Sequence, residues 1–199
     1  MTPTPLEIVK YPHPVLLREA KPLCRVDAEL LSWIPEMFRL MYATNGIGLA
    51  APQVGLPYRL IVLNPSGDAE ATGQELAVIN PVLSRAKGTA EMDEGCLSLP
   101  EIWAPVRRAK EITLNGWTPD GQEVNVRAKG MFARVLQHEC DHLDGVLFID
   151  RVAPTARQEL EESLEELAIE YEQNVRMKRY PDQETTLQRI TEFESLRCS

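Results

Sequence analysis

Two histidines four residues apart, His138 and His142, bracket Glu139, Cys140 and Asp141 in a stretch with apolar residues on both sides. On a helix, positions i and i+4 lie one turn apart on the same face, so both imidazoles can reach one cation. Glu139 follows the first histidine and can reach a water activated by that cation without itself being a ligand. Hydrolysis suits this arrangement: the cation lowers the pKa of the water, and the carboxylate takes its proton and later returns it to the leaving group.

A catalytic site of this kind needs three protein ligands and an open position. Three routes to the third ligand compete. In one metallopeptidase pattern it is a histidine six residues after the second; Gly145 fits the glycine of that pattern, but Phe148 occupies the ligand place, which closes the route. In another, a glutamate about twenty residues downstream serves, and Glu162 falls at that distance, although so would many positions in that glutamate-rich segment. The third candidate is Cys96, in Glu94-Gly95-Cys96-Leu97-Ser98-Leu99-Pro100. A cysteine in a loop is more often a small buried hydrophobe.

The chain that must position these groups has 199 residues, 44% of them hydrophobic and 26% charged, an ordinary globular composition. One core of that size buries roughly 70% of the unfolded surface, so one domain is expected. The longest apolar runs, such as Leu60 to Leu63, fall far short of the roughly 20 residues of a membrane span. The N-terminus lacks the basic patch and apolar region of a secretory signal, so a cytoplasmic location is expected. Four scattered cysteines without a CxxC pair suggest neither a zinc ribbon nor a disulfide framework. The net charge of −9 argues against a DNA-binding role. Six of those nine charges come from Pro154 to Glu172, where seven glutamates accompany one arginine; such a helix is read as a solvated face.

Asp27 can cap a helix with Leu30, Leu31, Ile34, Met37, Phe38, Met41 and Tyr42 at helical spacing, with Pro35 inside it predicting a kink or a late start and Asn45-Gly46 as a stop. Gly46 to Gly55 is too rich in glycine and proline for a regular element. Tyr58–Leu63, Leu76–Leu83, Val106–Leu114 and Val124–Ala128 read as antiparallel strands, with Pro119-Asp120-Gly121 as a turn. Phe132, Val135, Leu136 and Leu143 mark the helix carrying both histidines, which Gly145 can end. Pro154 opens a long amphipathic helix to about 179, with Leu160, Leu164, Leu167, Ala168, Tyr171 and Val175 on one side. The expected fold is α+β: short antiparallel sheets packed around a central metal-binding helix, with an N-terminal helix and a long C-terminal helix. Residues 1–180 form one catalytic unit, and 181–199 a polar tail prone to fray.

Three stretches, Gly46-Ile47-Gly48-Leu49-Ala50-Ala51-Pro52-Gln53, Glu94-Gly95-Cys96-Leu97-Ser98 and Gln137-His138-Glu139-Cys140-Asp141-His142, resemble in order and spacing the three signature motifs of peptide deformylases. The resemblance runs from about Leu6 to Val152. It implies Cys96, His138 and His142 as ligands of one divalent metal, ferrous iron in the cell, with zinc, nickel or cobalt able to replace it in purified protein. It implies Glu139 as acid and base, and the Gln53 side chain and the Leu97 N–H as donors to an oxyanion. The implied substrate is the N-formyl-methionine end of a nascent polypeptide, met in transient association with the ribosome, with no DNA or membrane partner.

Gly46 and Gly48 would let a peptide lie against the backbone as an added strand. Ile47, Met131 and Val135 are candidates for an apolar methionine pocket. Glu94 and Arg108 are expected to pair behind the ligands. Arg134 is expected to reach solvent, Trp103 to rim the cleft or be buried, Cys140 to pack, and His13 to be structural. The rival readings are a metallopeptidase using Glu162, a non-enzymatic protein (a closed structural metal site or an inactive relative that binds peptides), and a cysteine-nucleophile hydrolase.

Overall fold

The computed structural model describes residues 6–198. Five strands follow one another into a single antiparallel sheet in chain order: β1 (Gly48–Ala50), β2 (Leu60–Leu63), β3 (Leu76–Cys96), β4 (Leu99–Trp117) and β5 (Glu123–Lys129). Five helices accompany it: α1 (Ala28–Ala43), α2 (Gly130–Leu143), α3 (Pro154–Glu159), α4 (Glu161–Arg176) and α5 (Gln183–Arg197). The α+β class and antiparallel pairing match expectation, but the strands join one sheet instead of several.

Strands β3 and β4 are far longer than the apolar runs announced. Their shared hairpin pairs Ile79 with Trp117 at one end and Cys96 with Leu99 at the other. Beyond Leu83 the side chains are mostly exposed, so hydrophobic alternation fades while backbone pairing continues. Register shifts after Ile79 and Ser84 coincide with left-handed backbone at Asn80 and Arg85, and such bulges bend and twist a long ribbon. The Asn80 side chain uses its bulge position to clamp the N-terminal segment, accepting from Leu23 N (2.8 Å) and donating to Leu23 O (2.9 Å).

The stretch judged too irregular for an element contains β1, which pairs Gly48, Leu49 and Ala50 with Leu63, Val62 and Ile61. Cys96 likewise lies on a strand end, not in a free loop: Leu97 and Ser98 alone turn the chain back into β4. That two-residue turn fixes the sulfur's direction through the register of the whole hairpin.

Asp27 caps α1 as its sequence suggests, its carboxylate accepting from Leu30 N at 2.9 Å. Pro35 lies inside the unbroken helix on the exposed face, where the carbonyl it leaves unbonded meets water. Helix α2 lays Ala133, Leu136 and Leu143 against Ile61, Leu63, Val78, Ile112 and Leu114 of the sheet. It ends at Gly145, which has φ +70° and no room for a side chain, because a Cβ there would stand 2.7 Å from the Arg18 backbone.

The long C-terminal helix is interrupted at Leu160, with α4 ending at Arg176. The segment expected to fray instead forms α5, which buries Ile190 and packs Phe193 against Trp33 and Tyr58 but makes its other buried contacts through polar groups. Glu194 accepts from Arg18 (2.9 Å) and Lys21 (3.1 Å). Arg197 donates to Tyr58 Oη (2.9 Å), Asp27 (2.9 Å) and Glu29 (2.6 Å), with its guanidinium 5.0 Å from the Trp33 ring centre. Two apolar contacts are too few to announce by periodicity a helix whose remaining contacts are ion pairs.

Candidate metal centre

The ligand atoms of Cys96, His138 and His142 all lie within 4.8 Å of one another, and among the described residues no other set of three His, Cys, Asp or Glu groups converges in this way. A hairpin end supplies the sulfur and one face of α2 the two imidazoles, which meet edge to face with centroids 5.0 Å apart. Cys96 Sγ stands 3.3 Å from His142 Nε2. One thiolate and two imidazoles within this spacing fit a single divalent cation of the zinc or iron type. Glu162 is exposed and outside the convergent group, so the downstream-glutamate reading has no support. Phe148, at the place another pattern gives to a third histidine, is buried with its ring nearly parallel to that of His138.

The charges around the triangle favour a positive group within it. Glu94 Oε2 faces His138 Nδ1 at 3.1 Å, so an Nδ1–H donating to it turns Nε2 toward the cysteine. Burial opposes a charged His138, but hydrogen bonds with Cys96 and Glu94 outweigh it and lift its pKa to about 10. Burial drives the pKa of His142 well below the ordinary value, so it stands as a neutral imidazole, the form that binds metals.

Glu139 is buried between the histidines, and its Oε2 has no hydrogen-bond partner among the described residues. Burial raises its pKa to about 7, against the opposing charges of His138 and Arg108. A carboxyl poised there can both take up and give back a proton near neutral pH. An unpartnered buried carboxylate oxygen is costly, and its retention beside three convergent ligand atoms is the mark of a reacting group.

Gln53 sits in the short turn after β1 with its amide direction determined. Its Oε1 accepts from Ala50 N at 2.8 Å, which turns Nε2 toward Cys96 Sγ at 3.4 Å. Gly48 is equally constrained, since a Cβ there would run into Glu139 Oε1 and stand 2.7 Å from Val135 Cγ1. The same construction at Gly46 meets Leu97 Cδ1 at 3.1 Å. Gly46, Gly48, Gln53, Leu97, Val135 and Glu139 therefore gather around the three ligands. Ile47 is half-buried in front of the sheet, while Met131 is exposed one turn before Val135 on the same face of α2.

Behind the ligands lies a buried ion network. Arg108 grips Glu94 with two 2.8 Å bonds and reaches Asp141 at 2.6 Å, so the expected pair is present and has a third member. Burial pushes the Glu94 pKa upward, yet the hydrogen bonds from His138 and Arg108 hold it down to about 2. Arg134, expected to reach solvent, is buried: it donates to Glu94, to Val106 O (3.0 Å) and to Ala90 O (2.8 Å). Lining up one turn before His138, it closes on the same carboxylate from the other side. Asp141 and Arg151, joined at 2.6 and 3.1 Å, escaped the sequence reading. Apolar periodicity marks neither residue, and α2 carries so many polar side chains that one more carboxylate is no signal by itself.

Trp103 is exposed and covers Gly95, where a Cβ would press within 2.8 Å of the indole. Cys140 is buried with its thiol pushed up to about 12, which fits packing and excludes it as a nucleophile. His13 caps the short turn at Pro14–Leu17, its Nδ1 accepting from Val15 N at 3.3 Å.

Residues 5–158 match the family model for polypeptide deformylase. A peptide deformylase of Rhodopirellula baltica is 42% identical over 192 residues, covering 96% of this chain and 95% of that protein. Among solved structures, the inhibitor complex of Arabidopsis thaliana peptide deformylase 1B superposes with a TM-score of 0.81 at 39% identity, over 85% of this chain and 93% of that one. The Thermotoga maritima peptide deformylase gives 0.70 at 39% identity, over 76% and 99%. Sequence and fold thus agree over the segment carrying all three motifs, and the chain belongs to the polypeptide deformylase family.

Proposed function

We propose that the chain hydrolyses the formyl amide at the N-terminal methionine of newly made polypeptides, releasing formate and a free amine. The carrying observation is the convergence of Cys96, His138 and His142 beside the buried, unpartnered carboxylate oxygen of Glu139. In this reading those three residues hold one divalent cation, which when bound supplies Lewis acidity toward a water and the formyl oxygen. Ferrous iron is the cellular metal, with zinc, nickel or cobalt as substitutes in purified protein, since ligand softness admits all four.

Glu139 accepts the proton of the attacking water and returns it to the departing nitrogen. The Gln53 amide, oriented by Ala50 N, and the backbone N–H of Leu97 face the oxygen that gains negative charge. Gly46 and Gly48 leave backbone open for the substrate to add as a strand beside β1, a contact indifferent to side-chain sequence. Ile47, Val135 and Met131 form the apolar pocket that selects methionine. In this reading the chain works in the cytoplasm, in transient contact with the ribosome; the acidic stretch of α3 and α4 would repel RNA phosphate and is not the contacting face.

The test is formate release from a formyl-Met peptide by protein loaded in turn with each of the four metals. Turnover with at least one metal, lost in Glu139→Ala, is the expected result. No turnover with any of them overturns the reading.

A further inference from the structure

Two cysteines outside the metal centre, far apart in sequence, meet where the N-terminal segment receives the end of α5. The amide of Cys24 donates to Arg197 O at 2.8 Å. A hydrogen bond from one residue's amide to the carbonyl preceding another leaves their Cα atoms roughly 4–6 Å apart, within the range a disulfide spans. Both sulfurs lie over one short piece of backbone: Cys198 Sγ is 3.8 Å from Lys21 O, and Cys24 Sγ is 4.0 Å from Pro22 O. Cys24 is exposed, so a small oxidant can reach it.

From this juxtaposition we infer that Cys24 and Cys198 are a redox-modification site, closing into a disulfide that latches α5 to the N-terminal segment when a small-molecule disulfide is present. The inference is independent of the catalytic reading. The exposed Cys24 makes the first attack, because burial raises the Cys198 thiol to about 11, with the Glu194 and Cys24 charges adding to it. The Cys24 thiolate displaces one glutathione from oxidised glutathione, forming a mixed disulfide. Cys198 gives up its proton, attacks Cys24 Sγ and expels the second glutathione. Two protein thiols are thereby oxidised by two electrons, and one glutathione disulfide is reduced to two thiols.

The latch reinforces contacts already at this junction, where Arg197 reaches Tyr58, Asp27 and Glu29 and Glu194 reaches Arg18 and Lys21. It closes most of the chain into one loop, so its effect falls chiefly on the unfolded state and should raise Tm by about 5–10 °C.

The experiment incubates the full, zinc-loaded chain with oxidised glutathione and maps its peptides by mass spectrometry without reduction. The expected product is a cross-linked pair containing Cys24 and Cys198, two hydrogens lighter than the separate peptides, with a Tm rise reversed by dithiothreitol. Cys24→Ser, Cys198→Ser and the double variant should keep deformylation and show no rise. A stable glutathione adduct on Cys24 without the cross-link, an intermolecular dimer, or a cross-link with no change in Tm would each overturn the inference.

Discussion

Helices α2 and α4 are of similar length and opposite construction. Of the 14 residues of α2, nine are buried, five of them ionisable: Arg134, Glu139, Cys140, Asp141 and His142. Of the 16 residues of α4, only Leu164 is buried, and its glutamates face water. Charge in α4 is solvated and interchangeable. Charge in α2 is held in place by neighbours within 3.2 Å, except at Glu139 Oε2 and His142 Nδ1, which have no partner among the described residues. Burying ionisable groups is expensive unless each is paired, so the unpaired exceptions in an otherwise satisfied network locate the chemistry.

The sharpest way to test this contrast is to remove the exception. Glu139→Ala should lower kcat/KM for a formyl-Met peptide by about 10²–10⁴. Its Tm should stay level or rise, because a buried carboxyl without a full set of partners is lost; a variant that is both inactive and markedly unstable would refute the assignment. Removing a satisfied member should do the reverse. Arg108→Met leaves Glu94 to Arg134 and His138 and Asp141 to Arg151, each buried carboxylate short of one cation, and is expected to cost about 1–3 kcal/mol in urea unfolding, with metal affinity falling about 10-fold as the carboxylate that orients His138 is held less firmly. Gly48→Ala should follow at about 1–3 kcal/mol with reduced turnover, because the added methyl must displace the Glu139 carboxylate or Val135. Unchanged kinetics there would show that the carboxylate position is unimportant.

The same contrast explains how much could be read from sequence. His138, Glu139 and His142 are legible because helical spacing alone gives them a common face. Cys96 stood as one of several candidate third ligands and was singled out, as Gln53 was named, only through resemblance, since their approach depends on the β3–β4 register and on the turn after β1, neither of which hydrophobic alternation encodes. Arg134 was misjudged because a long cationic side chain on an amphipathic helix ordinarily snorkels to water; here two backbone carbonyls and Glu94 make an interior place for it. Helix α5 was missed for a related reason, as Glu194 and Arg197 dock it through salt bridges beside only two packed apolar residues, Ile190 and Phe193.

Where α4 does touch the rest of the fold, the effects should be modest. His13 meets Tyr171 of α4 edge to face, with ring centroids 6.1 Å apart. Burial lowers its pKa to about 4 from 6.5, and its Nδ1 must stay unprotonated to accept from Val15 N. The folded state therefore binds fewer protons than the unfolded state between those values. This contribution is fully present above pH 6.5 and fades as pH falls toward 4, amounting to about 1–2 kcal/mol. Subtracting the urea-derived stability of His13→Asn, whose side chain can cap the turn without titrating, should isolate that slope. A difference independent of pH would remove histidine titration from the account.

Smallest of all should be Glu162→Ala, at the exposed start of α4. The substitution removes one carboxylate from a helix whose first turn also carries Glu161, so the loss of favourable dipole interaction is at most about 0.5 kcal/mol. Because Glu162 lies outside the converging ligand set, metal content and formate release should match the unaltered chain, while Cys96→Ala should lose both. The paired measurement is decisive because Glu162 and Cys96 are the rival third ligands, one exposed on α4 and one converging with both histidines. If metal left with Glu162 and stayed without Cys96, burial and convergence would have pointed to the wrong third ligand, and the contrast between the two helices would fail with them.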